Sequence, residues 1–275
     1  MPEGPEIKRV ADRLSKALVG NSIQRIRFLY PSISKAEQTV HGSNVSSVNS
    51  IGKALLINFD NGHSLFSHNQ LYGKWSINLK STDPKTKRSL RVEFSTDKRV
   101  VRLWSATEIM LIPTCDIQEN SYIKNLGPDI LSESVNFTEI EKRLSSSFCK
   151  NRMAAHILLD QKSFAGIGNY LRSEILFKAN LNPYAKPKEL DCTSLSNFAR
   201  SIKKISLRAY RNNGVTVSEE IRRNGKLNKL PRRQWRHYVF CRNNMPCFIC
   251  GSTILRIRLS GRRLDYCPTC QSIFK

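Results

Sequence analysis

Apolar residues at the start of the chain recur at helical spacing. One face of the predicted helix carries Ile7, Val10, Ala11, Leu14 and Leu18. The pattern stops at Gly20, a residue that commonly ends helices. Pro2, Glu3 and Glu6 precede the first apolar residue of this repeat. Proline is favoured at the first helical position, and carboxylates there are stabilised by the positive end of the helix dipole. Local pattern therefore predicts a helix that starts close to the N-terminus.

The following part of the chain alternates between apolar and polar positions. This period of two, typical of half-buried strands, occurs at 24–30, 45–59, 73–79, 89–95 and 99–105. Turn signals such as Asp60-Asn61-Gly62 separate the segments. The first half is therefore predicted to be a β-sandwich.

The pattern changes after Gly127-Pro128. Proline and serine residues at 128–137 indicate a linker, and helical spacing returns at 137–144, 154–160, 170–179 and 195–210. Residues 211–237 are dense in Arg, Lys, Asn and Gly, which predicts a mobile basic loop that becomes ordered on DNA. A loop that is merely solvated remains the alternative.

Charge narrows the function of this 275-residue chain. It has 45 Lys and Arg against 22 Asp and Glu, a net charge of +23, and 40% of its residues are hydrophobic. Such a field attracts polyanions, with nucleic acid favoured over an anionic membrane surface. No apolar run approaches the roughly 18 residues of a spanning helix, and Glu3 and Glu6 interrupt any signal-peptide pattern. We expect an intracellular protein with no membrane partner.

Four of the eight cysteines form two closely spaced pairs. Cys247 and Cys250, and Cys267 and Cys270, each enclose two residues, and 16 residues separate the pairs. This spacing is typical of a zinc ribbon with four thiolate ligands, and a closed site of that kind leaves no position for a catalytic water. We therefore expect one structural Zn²⁺ ion in preference to four unligated thiols. The residues between the pairs predict a β-hairpin whose turn at Gly261 presents Arg262 and Arg263.

Three shorter motifs allow both ordinary and functional interpretations. In 164–174, FAGIGNYLRSE, Asn169 could cap a helix whose free N–H groups suit a phosphate, or the segment could be a simple helix–helix turn. In 67–75, SHNQLYGKW, the trio Gln70, Leu71 and Tyr72 could enter a base stack, or its two larger residues could be core residues at a strand end. Lys53 precedes an apolar strand and could hold a phosphate, stay protonated beside a carboxylate or face solvent.

Taken together and in order, these stretches resemble the family of formamidopyrimidine-DNA glycosylase and endonuclease VIII. The likeness rests on PEGPE at 2–6, GKAL at 52–55, LGPD at 126–129, GIGNYLRSE at 166–174 and the four-cysteine hairpin with its arginine. MPEGPEI, GKALL and SHNQLYG resemble bacterial endonuclease VIII in particular, which implies a protein of the bacterial cytoplasm that associates with the nucleoid through DNA. That branch prefers oxidised pyrimidines, and the formamidopyrimidine branch, directed at 8-oxoguanine, is the close alternative.

The resemblance implies an α+β multidomain fold. It consists of an N-terminal β-sandwich catalytic domain with the leading helix (1–127), a linker (128–137), a helix-two-turn-helix DNA-binding domain (138–237) and a zinc-finger hairpin (238–275), with DNA in the cleft between the sandwich and the helical part. The expected partner is double-stranded damaged DNA, bound by a monomer. The likeness is poorest at 211–237, so the exact lesion is left open.

The same resemblance implies a role for each matching residue. Pro2 is the nucleophile, Glu3 the general acid, Glu6 a supporting carboxylate and Lys53 an active-site lysine. The DNA contacts are expected to be the void-filling Gln70, Leu71 and Tyr72 and the phosphate ligands Asn169 and Arg262.

The resemblance also gives the opening stretch a chemical purpose. Removal of Met1 would expose the secondary amine of Pro2, which can attack the sugar C1′ and form an iminium that permits β- and δ-elimination. The implied activity is a bifunctional DNA glycosylase and AP lyase of base excision repair. A zinc-ribbon protein that only binds DNA is the rival class, and such a protein would not require a free Pro2 beside Glu3.

Overall fold

A computed structural model describes residues 2–272 of the chain. The chain forms two compact units, and it passes from the first to the second between Asn125 and Leu126. The finer division into four ranges remains a prediction, and residues 273–275 of the predicted hairpin range lie outside the described residues. None of the described helices is long and apolar enough to cross a membrane.

The first unit is a β-sandwich with a leading helix, as expected. Helix α1 is Gly4–Leu18. In the described part of the unit, the strands are β1 (Arg25–Phe28), β2 (Val45–Ile51), β3 (Ala54–Phe59), β4 (His63–His68), β5 (Lys74–Leu79), β6 (Leu90–Ser95), β7 (Arg99–Trp104) and β8 (Glu108–Pro113). They form two four-stranded antiparallel sheets, ordered β1-β6-β7-β5 and β2-β3-β4-β8. A short helix, α2 (Ser121–Lys124), follows.

The second sheet is buried on both faces, which explains the continuous apolar run of β3. On its inner face, Leu55 and Ile57 join the core between the sheets and α1. On its outer face, Leu56 and Phe66 pack with Ile117, which follows β8. A strand covered on both sides has no polar face, so the alternation weakens there.

Helix α1 begins two residues later than its sequence suggests. Glu3 is the extended N-cap residue, and Pro5 lies in the first turn, so Pro2 precedes the helix and does not start it. The carboxylate of Glu6 accepts the backbone N–H of Glu3 at 3.1 Å, a contact typical of a capping box. The helix ends at Leu18, ahead of Gly20, whose φ is +73°.

The second unit is helical and ends in a hairpin. Its described elements are α3 (Phe137–Ser145), α4 (Ala154–Leu159), α5 (Asn169–Lys178), α6 (Cys192–Arg211), α7 (Glu219–Leu227), α8 (Arg232–Trp235), β9 (Leu255–Leu259) and β10 (Arg262–Tyr266). Residues predicted to be a linker contribute to its core, since Ile130, Leu131 and Val135 are buried against the helices. The polar residues at 128–137 favoured a linker, so the sequence did not indicate that these three apolar residues belong to the core.

The prediction of a loop throughout 211–237 is wrong, because this segment contains α7 and α8. The two helices close on each other where the indole of Trp235 lies against Gly225. Trp235 is buried, and its Nε1–H donates to the carbonyl of Leu230 at 3.1 Å. A single buried tryptophan among many charged residues gives no hydrophobic periodicity, so the sequence pattern did not predict these helices.

Replacing Gly225 by alanine should destabilise the protein. The added Cβ would lie 2.4–2.8 Å from three atoms of Trp235, and overpacking of this kind typically lowers the free energy of unfolding by about 1–3 kcal/mol. Denaturant unfolding would measure the loss, with Asn224→Ala at the neighbouring exposed position as the control. Alanine is otherwise the better helix former by about 1 kcal/mol, so a stabilised Gly225→Ala protein would contradict the close packing.

Candidate active site and nucleic-acid interface

The N-terminal site residues lie at the start of α1. Pro2 is half-buried, and Glu3 is only 5% exposed. Glu6 lies in the first turn, where its carboxylate accepts the Glu3 N–H. A secondary amine at residue 2 would therefore stand beside the positive end of a helix and next to two carboxylates. Helix dipole and carboxylates act in opposite directions on such an amine.

Lys53 lies in the tight turn between β2 and β3 and is buried, which contradicts the solvent-facing alternative. Its backbone N–H donates to the hydroxyl of Tyr122 at 3.0 Å. The Tyr122 ring in turn lies 5.0 Å from the ring of His68, between centroids. Lys53 is thus held at a turn whose preceding residue, Gly52, has the left-handed φ of +58°.

His68 is a polar neighbour that sequence analysis did not single out. Its Nδ1 lies 3.3 Å from a carboxylate oxygen of Glu108. Burial lowers the pKa of His68, the charge of Glu108 opposes this effect, and the positive charge of Lys53 adds to it. His68 and Lys53 therefore share one electrostatic environment at the same end of the sheet.

The loop after β4 presents its large residues to solvent. Leu71 is 67% exposed and Tyr72 is 70% exposed, so neither is a core residue. Gln70 has a left-handed φ of +46°, and its side-chain amide donates to Glu108 at 3.1 Å. The loop closes tightly, because a Cβ on Gly73 would lie 2.6 Å from the carbonyl oxygen of Asn69. A tightly closed loop that exposes two large side chains has the form that an intercalating wedge requires.

In the second unit, Asn169 is the first residue of α5, and Gly168 is its N-cap residue. The prediction that Asn169 caps the helix is therefore wrong: extended Gly168 precedes it, and Asn169 already lies within the first turn. Its Oδ1 accepts from the buried guanidinium of Arg172 at 3.4 Å. The same guanidinium donates to the carbonyl of Arg263 on β10 at 2.8 Å. Arg172 thereby joins the start of α5 to the hairpin strand.

Arg262 begins β10 directly after the hairpin turn. Ser260 and Gly261 form this turn with φ values of +50° and +73°, the pairing that a two-residue hairpin loop favours. Arg262 is exposed. Because Ser173 on α5 accepts the N–H of Asp265 at 3.4 Å, the strand bearing Arg262 is bound to the helix bearing Asn169.

A buried carboxylate, Glu174, is the second group that sequence analysis missed. It accepts backbone N–H groups from Tyr238 at 2.7 Å, Val239 at 2.8 Å and Phe240 at 2.9 Å, and the Thr216 hydroxyl at 2.5 Å. Burial raises the pKa of Glu174, and the four donors oppose that effect. Every residue of α5 from Tyr170 to Phe177 is buried, although Arg172 and Ser173 among them are polar, so only a weak sequence signal indicated that Glu174 would be buried.

The four predicted zinc ligands converge. Their sulfur atoms all lie within 4.8 Å of one another, with Cys247–Cys270 at 3.9 Å and Cys250–Cys267 at 3.4 Å. Tetrahedral ligands about 2.3 Å from zinc would place sulfurs about 3.8 Å apart. The N–H groups of Ile249 and Cys270 also donate to ligand sulfurs, each at 3.4 Å. This donor set fits one structural Zn²⁺ ion.

Electrostatics also favours a cation at this cluster. Hydrogen bonds from Ser252 lower the pKa of Cys250 to about 6, whereas burial raises the pKa values of Cys267 and Cys270. Burial thus opposes formation of four neighbouring thiolates, and a bound metal ion removes that penalty. With four sulfur ligands the site is closed, so its role is structural.

Comparison with known families divides the chain into three matched regions. Residues 1–107 match the formamidopyrimidine-DNA glycosylase N-terminal domain, and residues 126–220 match the H2TH domain of the same enzyme. Residues 246–273 match the zinc finger found in FPG and IleRS. Together these regions include every predicted site residue.

Curated relatives match over their full length. The chain is 36% identical to "Endonuclease 8" of Escherichia coli over 271 residues, covering 98% of this chain and 100% of the relative. It is equally identical to "Endonuclease 8" of Pectobacterium atrosepticum over 272 residues, covering 99% and 100%.

Solved structures of formamidopyrimidine-DNA glycosylase from Lactococcus lactis share the fold. One, bound to DNA containing an AP site, aligns with a TM-score of 0.79 at 23% identity and covers 98% of this chain and 100% of its own. Another, in complex with DNA containing an oxidised pyrimidine, aligns with a TM-score of 0.79 at 24% identity and covers 99% and 100%.

Substituting one zinc ligand should release the metal. Cys267→Ala is expected to lose about one equivalent of zinc, because a tetrahedral structural site needs all four ligands. Metal analysis of the purified protein measures this, and Cys115→Ala, at an exposed cysteine of the first unit, is the matched control. Unchanged zinc content in Cys267→Ala would refute the ligand assignment.

Proposed function

This chain belongs to the formamidopyrimidine-DNA glycosylase and endonuclease VIII family, and from that membership we propose that it excises oxidised pyrimidines and then cleaves the abasic strand. Its general activity is that of a DNA glycosylase of base excision repair. The proposed substrate is damaged double-stranded DNA, bound by a monomer. Full-length identity of 36% to relatives named "Endonuclease 8" supports the pyrimidine preference.

One observation carries the mechanism: Pro2 directly precedes the buried Glu3 at the N-terminal end of a 15-residue helix. Once Met1 is removed, the Pro2 nitrogen attacks C1′ as a neutral secondary amine, whose reference pKa is about 8. Its lone pair forms the N–C1′ bond, and the damaged base leaves with the electrons of the glycosidic bond and takes up the proton that the Pro2 nitrogen then releases. Glu3 donates a proton to the sugar ring oxygen as the ring opens.

The resulting iminium makes strand cleavage accessible. It acidifies the C2′ proton, so loss of that proton expels the 3′ phosphate in β-elimination, and a further proton loss expels the 5′ phosphate in δ-elimination. Water then adds to the C1′ of the iminium, and this hydrolysis releases the Pro2 amine. Lys53, buried at its turn, supplies a fixed positive charge that favours the neutral amine, and Glu6 holds the N-cap residue in place.

The remaining site residues bind the duplex in this proposal. Asn169 and Arg262 hold phosphates, which positions the strand without reading its sequence. Leu71 and Tyr72 enter the stack beside the extruded nucleotide, and Gln70 fixes the loop beneath them. Zinc supports the hairpin that carries Arg262 and takes no part in the bond changes.

A panel of lesion-bearing duplexes tests this proposal. We expect kcat/KM for a thymine glycol duplex to exceed that for 8-oxoguanine by about tenfold or more, equivalent to about 1.4 kcal/mol. Glu3→Gln should slow base excision by about 10²-fold and affect a preformed abasic site less, because the sugar ring of an abasic site already opens to its aldehyde form without a general acid. Faster excision of 8-oxoguanine would favour the formamidopyrimidine branch, and binding without cleavage of any lesion would favour the non-enzymatic alternative.

A further inference from the structure

The segment from Ser218 to Arg236, here called the α7–α8 hairpin, is a folded element with its own packing. Ser218 caps α7 by accepting the N–H of Ile221 at 3.4 Å. The chain then turns back where the N–H of Leu230 donates to the carbonyl of Gly225 at 3.0 Å, and Trp235 fills the space above Gly225. The hairpin is therefore a preformed surface.

Both ends of the hairpin are attached to α5. Thr216 precedes it and Tyr238 follows it, and both donate hydrogen bonds to the single carboxylate of Glu174. The N–H of Thr216 also donates to the carbonyl of Arg236 at 2.9 Å, which closes the base. Glu174 lies five residues after Asn169, about 7.5 Å along the helix axis. The hairpin is thus fixed to the helix that begins at the proposed phosphate ligand.

The hairpin carries a strong excess of positive charge. Seven Arg and Lys residues lie between 218 and 236, against the acidic pair Glu219 and Glu220. The guanidinium of Arg222 forms an ion pair with the carboxylate of Glu219, with an N–O distance of 3.2 Å. Four exposed cations form no ion pair with any described residue: Arg223, Lys226, Lys229 and Arg233. Exposed cations that lack counter-charges attract polyanions.

We infer that the α7–α8 hairpin binds the phosphodiester backbone of duplex DNA through Arg223, Lys226, Lys229 and Arg233, in addition to the phosphates assigned to Asn169 and Arg262. This inference rests on the proposed function for its choice of polyanion. The shared anchor at Glu174 favours the DNA that α5 contacts over a separate acidic protein. Backbone contacts carry no base information, so the hairpin strengthens binding to damaged and undamaged duplex alike.

The salt dependence of DNA affinity measures the number of contacts between cationic side chains and phosphates. A variant with all four cations changed to glutamine would be titrated with undamaged duplex by fluorescence anisotropy between about 50 and 200 mM salt. Each lost phosphate contact lowers the slope of log Kd against log salt by about 0.9, so we expect a fall of about two to 3.6.

A matched variant controls for the general loss of charge. It changes four exposed lysines of the same unit to glutamine, namely Lys142, Lys178, Lys188 and Lys204, and its slope should fall by less than about one. Thermal melts confirm that both variants are folded. A hairpin variant with the wild-type slope, or a fall equal to that of the control, would overturn the inference. Such results would direct attention to an acidic protein or an anionic membrane surface as the occupant.

Cleavage of a preformed abasic duplex at saturating enzyme separates this inference from the proposed function. The hairpin variant should react within about twofold of wild type, because backbone contacts act on binding and leave the chemical step unchanged. Slow chemistry with a normal salt slope would contradict the inference. If the wild-type protein cleaves no damaged duplex, the proposed function fails, while the salt slopes still decide whether the hairpin binds DNA.

Discussion

The buried carboxylate of Glu174 is the constraint on which the second unit depends. A carboxyl group removed from water costs free energy unless its oxygen atoms are hydrogen-bonded. Three consecutive N–H groups at Tyr238, Val239 and Phe240 and the hydroxyl of Thr216 satisfy it here. Since a hydroxyl has one hydrogen, Thr216 accepts from Nδ1–H of His237, 3.0 Å away. Burial, together with the positive charges of Arg236 and Arg232, lowers the pKa of His237 well below its usual value.

Further buried charges extend this anchor toward the metal site. Arg242 donates to the carbonyls of Tyr238 at 2.6 Å and Pro246 at 2.7 Å, and Pro246 directly precedes the zinc ligand Cys247. Asp265 on β10 accepts the N–H of Cys241 at 2.7 Å. The start of α5, the base of the α7–α8 hairpin and the zinc-bearing hairpin are therefore parts of one hydrogen-bonded assembly. This assembly carries each proposed phosphate ligand of the second unit, so it gives the DNA contacts a rigid support.

Sequence pattern was sufficient for features that repeat locally or have fixed spacing. Strand alternation predicted the sandwich, and cysteine spacing predicted a site whose four sulfurs converge. Strand β8 was missed, because its half-buried residues give no clear alternation. Glu174 could not be assigned, since its partners lie 42 to 66 residues away. The α7–α8 hairpin was missed because one tryptophan and one glycine carry its packing. Site roles were inferred from family resemblance, and His68 escaped because a lone histidine beside a strand gives no spacing signal.

The most direct test of this account asks which nitrogen becomes linked to the sugar. Borohydride added during turnover should reduce the iminium to a stable protein–DNA adduct, and peptide mapping should place the bond at Pro2 in protein from which Met1 has been removed. Protein that retains Met1 has this nitrogen blocked as an amide and should form no adduct. A Lys53→Gln control tests whether the adduct forms through the amine of Lys53, the other candidate nucleophile that the sequence motifs suggest. An adduct formed at the normal rate by the Met1-retaining protein, or mapped to Lys53, would contradict the mechanism.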